Sequence, residues 1–126
     1  MNIKPLALII EDNEDQALVF TKALEIAGYV TESIQDGLIA RKRLAEVKPD
    51  VVVLDLHIPG ASGRELLYQI RSDGRLAKTR VILATADAAL ADALQTQADL
   101  TLLKPISFMQ LSALANRYLQ HTEPGE

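Results

Sequence analysis

Five side chains in this sequence are of types that can do chemistry together: the adjacent acids Glu11 and Asp12, the acid Asp55, the hydroxyl of Thr85 and the amine of Lys104. They close or follow four short apolar runs, Leu6–Ile10, Val51–Leu56, Arg80–Ala84 and Leu100–Leu103. Singly, each has an ordinary explanation. An acid after a strand often caps the next helix, threonine is common in strands, and a lone lysine is usually a surface residue. Asp55 fits such an explanation badly, because it follows Val51-Val52-Val53-Leu54, and an unpaired carboxylate in a central strand is costly to bury. Matching positions at the ends of separate runs make a shared site the better account. Aspartate is an established nucleophile for acyl phosphates. Clustered carboxylates repel one another unless a cation sits among them, and Mg²⁺ is commonly held by a few carboxylates, waters and phosphate oxygens. A transferring phosphoryl group spreads charge over its oxygens, so positioning and electrostatics dominate. Lys104 offers a mobile point charge and Thr85 a hydroxyl donor. Together these groups suit phosphoryl transfer to Asp55 with Mg²⁺.

Something must hold them at one rim. Val51–Leu54 has no polar alternation, as expected of a parallel strand covered on both faces. The remaining run is Tyr29–Ile34. Helix-period segments lie between the runs. The first places Ala17, Phe20, Leu24 and Ala27 on one face and ends at Gly28, suited to a left-handed cap. The second carries Ala40, Leu44 and Val47 and stops before Pro49. The third opens at Ser62 with Glu65 three residues on, a capping box, and the fifth repeats the pattern with Ser107 and Gln110 before Leu111, Leu114 and Tyr118. The fourth, about Ala88–Gln97, is rich in alanine; Leu90 and Leu94 are expected to face the core, with Ala91 outward. Strands alternating with helices imply a parallel sheet in an α/β (βα)₅ domain. In such sheets function gathers at the carboxyl ends of the strands, where strand order reverses.

Composition narrows the function further. The 126 residues, 48% apolar, suffice for one domain with its own core. There is no cysteine, which excludes disulfides and Cys-based zinc sites. Net charge is −4 with no Lys/Arg cluster, so direct nucleic-acid binding is not expected. Leu6–Ile10 is too short for a signal-peptide core or a membrane span. Neither Gly-x-Gly-x-x-Gly nor a P-loop follows the first run, which argues against a nucleotide-binding protein.

With Glu11-Asp12, Asp55 in Val-Val-Leu-Asp-Leu-His-Ile-Pro-Gly, Gly63, Thr85-Ala86 and Lys104-Pro105, the sequence resembles the response-regulator receiver domains of two-component signalling over essentially its whole length. The resemblance implies a three-layer sandwich whose five-stranded parallel sheet has the order 2-1-3-4-5. It implies a domain over residues 1–120, with 121–126 as a short tail. Asp55 is then the phosphoacceptor. Glu11, Asp12, Asp55 and the main-chain carbonyl of His57 hold Mg²⁺, Thr85 and Lys104 contact the phosphoryl group, and the bond before Pro105 is cis. The implied partners are a histidine kinase or phosphotransfer protein and, on the output side, a downstream protein or a second copy, met through helix 4, strand 5 and helix 5. Such a domain is cytoplasmic and is not an enzyme, although it takes part in its own phosphorylation and dephosphorylation.

Several positions depart from the family pattern. The first acid is Glu11 where Asp is commoner, and Thr101 stands where the family usually has Tyr or Phe, three before Lys104. The Thr85–Lys104 stretch is about one helical turn short, with Gln97 in place of the usual glycine before strand 5. Two other functions compete. A phosphorylation-independent interaction module would be favoured by loss of Asp55, Asp12, Thr85 or Lys104, and none is lost. An aspartate-dependent phosphatase usually carries a second acid two residues after the nucleophile, and here that position is His57. Side-chain metal ligation by His57 is not expected, the other histidine being His121 in the tail; an influence of His57 and Asp87 on the acyl phosphate is.

Overall fold

Apolar runs become strands and the periodic segments between them become helices in the computed structural model, which describes residues 4–120, all but the side chain of Gln120. The tail expected at 121–126 lies outside the described residues. In chain order the elements are β1 (Leu6–Ile10), α1 (Glu14–Ala27), β2 (Val30–Ile34), α2 (Gly37–Glu46), β3 (Val51–Asp55), α3 (Gly63–Ser72), β4 (Arg80–Thr85), α4 (Ala88–Leu94), β5 (Leu100–Leu103) and α5 (Phe108–Gln120). All sheet pairings are parallel, in the order β2-β1-β3-β4-β5. The (βα)₅ sandwich and its strand order are therefore as expected.

Strand alternation builds the layers. On β3, Val52 and Leu54 join Leu44 of α2, Leu66 and Ile70 of α3 and Leu94 of α4 in one apolar cluster. Val51 and Val53 join Phe20 and Leu24 of α1 with Leu111 and Ala115 of α5 in another, on the opposite face. Every β3 residue is buried, which is why the run shows no alternation. Burying one such aliphatic side chain contributes about 1.5–3 kcal/mol. The first and last helices of the chain thus lie side by side, and the Tyr29 hydroxyl donates to Ala115 O at 2.8 Å. That bond ends the Tyr29–Ile34 run as a strand one residue late, at Val30.

Helix ends follow the local sequence. Gly28 closes α1 at φ 116°, a left-handed conformation that costs glycine nothing. Ser62 and Glu65 form the reciprocal capping box of α3. For α5, Ser107 Oγ accepts from Gln110 N at 3.2 Å; Leu111 is buried, but Leu114 and Tyr118 are only half-buried and Ala115 fills the core position between them.

Helix 4 requires a correction. The α-helix stops at Leu94, and Gln95–Gln97 is a tight 3₁₀ turn. Ala91, expected outward, is 6% exposed and packs inward with Leu94, while Leu90 sits half-buried at the border. A helix of seven residues makes barely two turns, and the 91/94 spacing of three proves as serviceable for its contact face as the 90/94 spacing of four.

The shortened segment before β5 is fastened by an arginine. Arg71 of α3 donates from Nε to Gln97 O at 2.7 Å, from Nη1 to Thr79 O at 3.0 Å, and from Nη2 to Asp99 Oδ2 at 2.8 Å. Asp99 Oδ2 also accepts from Val81 N at 2.7 Å. Arg71→Ala leaves two carbonyls and a carboxylate without this donor, and a hydrogen bond to a charged group is worth about 1.5–3 kcal/mol. A stability loss of that size is expected in urea denaturation, and Arg71→Lys should recover little of it, because one ammonium cannot reproduce the planar fork.

Candidate functional site

The residues expected to share a rim do so. Glu11 follows β1, its N–H donating to Ile34 O at 3.0 Å, and is 1% exposed. Its Oε2 accepts from Asn13 N at 3.2 Å and its Oε1 from Lys104 Nζ at 2.9 Å. Asn13 in turn caps α1, accepting from Gln16 N at 2.9 Å. Asp12 is exposed beside it. Asp55 ends β3, is 4% exposed, and accepts from His57 N at 3.1 Å through Oδ1. Lys104 follows β5 and is tied to β4 by a bond from its N–H to Thr85 O at 2.8 Å. Its ammonium stands 3.6 Å from Asp55 Oδ1, so one cation serves two buried acids. The Lys104–Pro105 bond is cis, as expected.

Burial pushes the Glu11 carboxyl above its ordinary range, opposed by the hydrogen bonds from Lys104 and Asn13, while the nearby Asp55 carboxylate adds to the rise. Two buried carboxylates facing one lysine leave negative charge uncompensated, and exposed Asp12 adds a third acid. Carboxylate oxygens of Glu11, Asp12 and Asp55 all lie within 4.8 Å of one another. An all-oxygen donor set of this kind fits a hard cation such as Mg²⁺, which keeps several waters. His57 contributes no side chain to that cluster; its ring is 64% exposed, with Nε2 3.9 Å from Asp87 Oδ2.

Thr85 ends β4 and is fully buried. Its Oγ1 accepts from Asp87 N at 3.0 Å, and Asp87 Oδ1 accepts from Leu90 N at 3.0 Å as the cap of α4. The Thr85 hydroxyl is thereby linked through two hydrogen bonds to the first turn of that helix. Its own proton is still free to be donated.

Gly63 backs the site. A Cβ there would lie 2.5 Å from Leu56 Cα and 2.7 Å from Asp55 O, so only glycine lets α3 begin this close to the chain leaving Asp55. Sequence reasoning missed Asn13, which binds Glu11 and caps α1 at once; an Asn before Glu14-Asp15 is a capping signal that would have found it. It also missed the Arg71–Asp99 pair, for which no local pattern exists.

Comparison with known proteins agrees with this geometry. The family model for the response regulator receiver domain matches residues 7–116. The chain is 31% identical over 123 residues to the phosphate regulon transcriptional regulatory protein PhoB of Rhizobium meliloti, covering 95% of this chain and 54% of that protein. It is 34% identical over 85 residues to the polar-differentiation response regulator DivK of Brucella anthropi, covering 68% of this chain and 69% of that one. The chain thus spans about half the length of the PhoB relative. In fold it is similar to the receiver domain of a sensor histidine kinase from Pseudomonas aeruginosa, solved with magnesium coordinated in its active-site cleft, at TM-score 0.82 and 24% identity over 94% of this chain and 99% of that one. By its sequence match over residues 7–116 and by its fold, the chain belongs to the response regulator receiver domain family of two-component signalling.

Proposed function

We propose that the chain is a phosphorylation switch in which Asp55 accepts a phosphoryl group from a phosphohistidine on a histidine kinase or phosphotransfer protein. The observation that carries this reading is the single ammonium of Lys104 set between Glu11 and Asp55, at 2.9 and 3.6 Å, beside the exposed Asp12. In the transfer a carboxylate oxygen of Asp55 attacks phosphorus, the new P–O bond forms as the donor's P–N bond breaks, and the leaving imidazole takes up a proton. Glu11, Asp12, Asp55 and the main-chain carbonyl of His57 would hold Mg²⁺, which when bound supplies positive charge against the phosphoryl oxygens. The magnesium in the Pseudomonas aeruginosa receiver domain supports that assignment.

The protein's own groups do the rest. Lys104 exchanges its bond to Glu11 for a phosphoryl oxygen, and Thr85 donates its free hydroxyl proton to another. Because Thr85 Oγ1 also accepts from Asp87 N, movement of Thr85 toward the phosphoryl group pulls on the start of α4. The output is docking of a downstream protein, or of a second copy, at the face made by α4, β5 and α5. No other substrate is turned over, so the chain is a phosphoacceptor rather than an enzyme. Among the described residues no helix is long and apolar enough to cross a membrane, and the proposed location is the cytoplasm. Docking without phosphorylation is not favoured, since every group the transfer needs is assembled.

Acetyl phosphate with Mg²⁺ should add one phosphoryl group to the protein, and an unchanged mass would overturn the reading. Asp12→Ala removes an exposed ligand without disturbing the core. It should abolish both Mg²⁺ binding, followed by titration calorimetry, and labelling, while the circular dichroism spectrum stays that of wild type. Labelling that survives chelation of divalent ions would refute the metal assignment.

A further inference from the structure

Two buried side-chain polar atoms among the described residues lack a hydrogen-bond partner, Gln16 Oε1 and Thr101 Oγ1. Thr101 lies on β5 opposite Leu83. Its neighbours Leu100 and Leu102 pack on the sheet face covered by α1 and α5, so alternation puts Thr101 on the other face, which α4 covers. Thr101 is partly exposed as a residue, yet its oxygen is the buried part. A buried hydroxyl without a partner raises the free energy of the arrangement that buries it. Little else holds α4 in place. Its recorded side-chain hydrogen bonds are local, Asp87 to Leu90 N and Asp92 to Gln95, and its inner face offers only Ala91, Leu94 and half-buried Leu90.

We propose that the Thr101 hydroxyl makes this seat of α4 metastable, so that the helix exchanges with a displaced position in which the hydroxyl is hydrated. Residue 101 then sets the ratio of the two positions. A side chain with the same shape and no hydroxyl holds α4 down, and one that keeps the hydroxyl does not. That the displaced position is the one favoured by a phosphoryl group on Asp55, through Thr85 and Asp87, rests on the function proposed above; the metastability itself does not.

The experiment is hydrogen–deuterium exchange of the full chain without phosphodonor, read by mass spectrometry on peptides covering Ala88–Gln97 and the β1–β3 region. Thr101→Val should slow exchange in Ala88–Gln97 on the order of tenfold, leave β1–β3 unchanged, and raise the melting temperature. Thr101→Ser should exchange like wild type. Equal exchange in wild type and Thr101→Val overturns the proposal, as does slowing spread evenly over both regions or a lowered melting temperature in the valine variant. A parallel acetyl phosphate labelling of wild type reports on Asp55 alone, so failure there and failure of the exchange result are told apart.

Discussion

Asp55→Asn is expected to end labelling by acetyl phosphate completely, in a protein that otherwise folds and melts as a receiver domain. Asparagine has nearly the same shape, and its amide oxygen can still accept the His57 N–H bond that Asp55 Oδ1 receives at 3.1 Å. It lacks the nucleophilic carboxylate oxygen, and no neighbouring group replaces that. Glu11 has both oxygens engaged with Lys104 and Asn13. Intact-mass spectrometry after incubation with donor and Mg²⁺ should show one added phosphoryl group on wild type and none on the variant. A variant that labels as fast as wild type would place the acceptor elsewhere and dismantle the proposed chemistry.

Gly63→Ala should damage stability and labelling together. The added methyl would meet Leu56 Cα at 2.5 Å, Asp55 O at 2.7 Å and Leu56 O at 3.0 Å. All three are backbone atoms, so no side chain can swing aside. Helix propensity pulls the other way, favouring alanine by about 1 kcal/mol. Overpacking in a tight site costs about 1–3 kcal/mol and sometimes more, and rigid backbone on every side puts this case at the upper end. A net loss of about 2 kcal/mol is expected, a drop of roughly 6–8 °C in melting temperature for a domain of this size. Since the displaced atoms carry Asp55, labelling should slow even below the melting range. A variant as stable as wild type would mean that α3 does not begin this close to the strand end.

The strands and the rim of the site were legible because their signals are local. An unbroken apolar run such as Val51–Leu54 has few readings, and an acid that ends it is conspicuous. The strand ends then bring Glu11, Asp55, Thr85 and Lys104 together without any contact having to be foreseen. Contacts between distant residues were not legible. Nothing near Lys104 announces that its ammonium meets Glu11, 93 positions earlier in the chain, and nothing near Arg71 announces Asp99. The buried face of α4 was misread for a different reason. Ala88, Ala89, Ala91 and Ala93 are the same residue, so the sequence carries no contrast there, and the sheet beneath decides that Ala91 is the buried one.

The two faces of the sheet also differ in when the chain can supply them. The cluster under α2, α3 and α4 is drawn from residues between Leu8 and Leu94. The opposite cluster needs Phe20 and Leu24 from near the beginning and Leu111 and Ala115 from near the end of the described chain. Synthesis proceeds from the amino terminus at roughly 5–20 residues per second. A nascent chain emerging from the ribosome therefore holds everything for one face seconds before the other, and meanwhile carries α1 with Phe20 and Leu24 bare. The last helix is in this sense a latch: until it has left the exit tunnel, the half-built domain shows an apolar surface that the finished one never exposes.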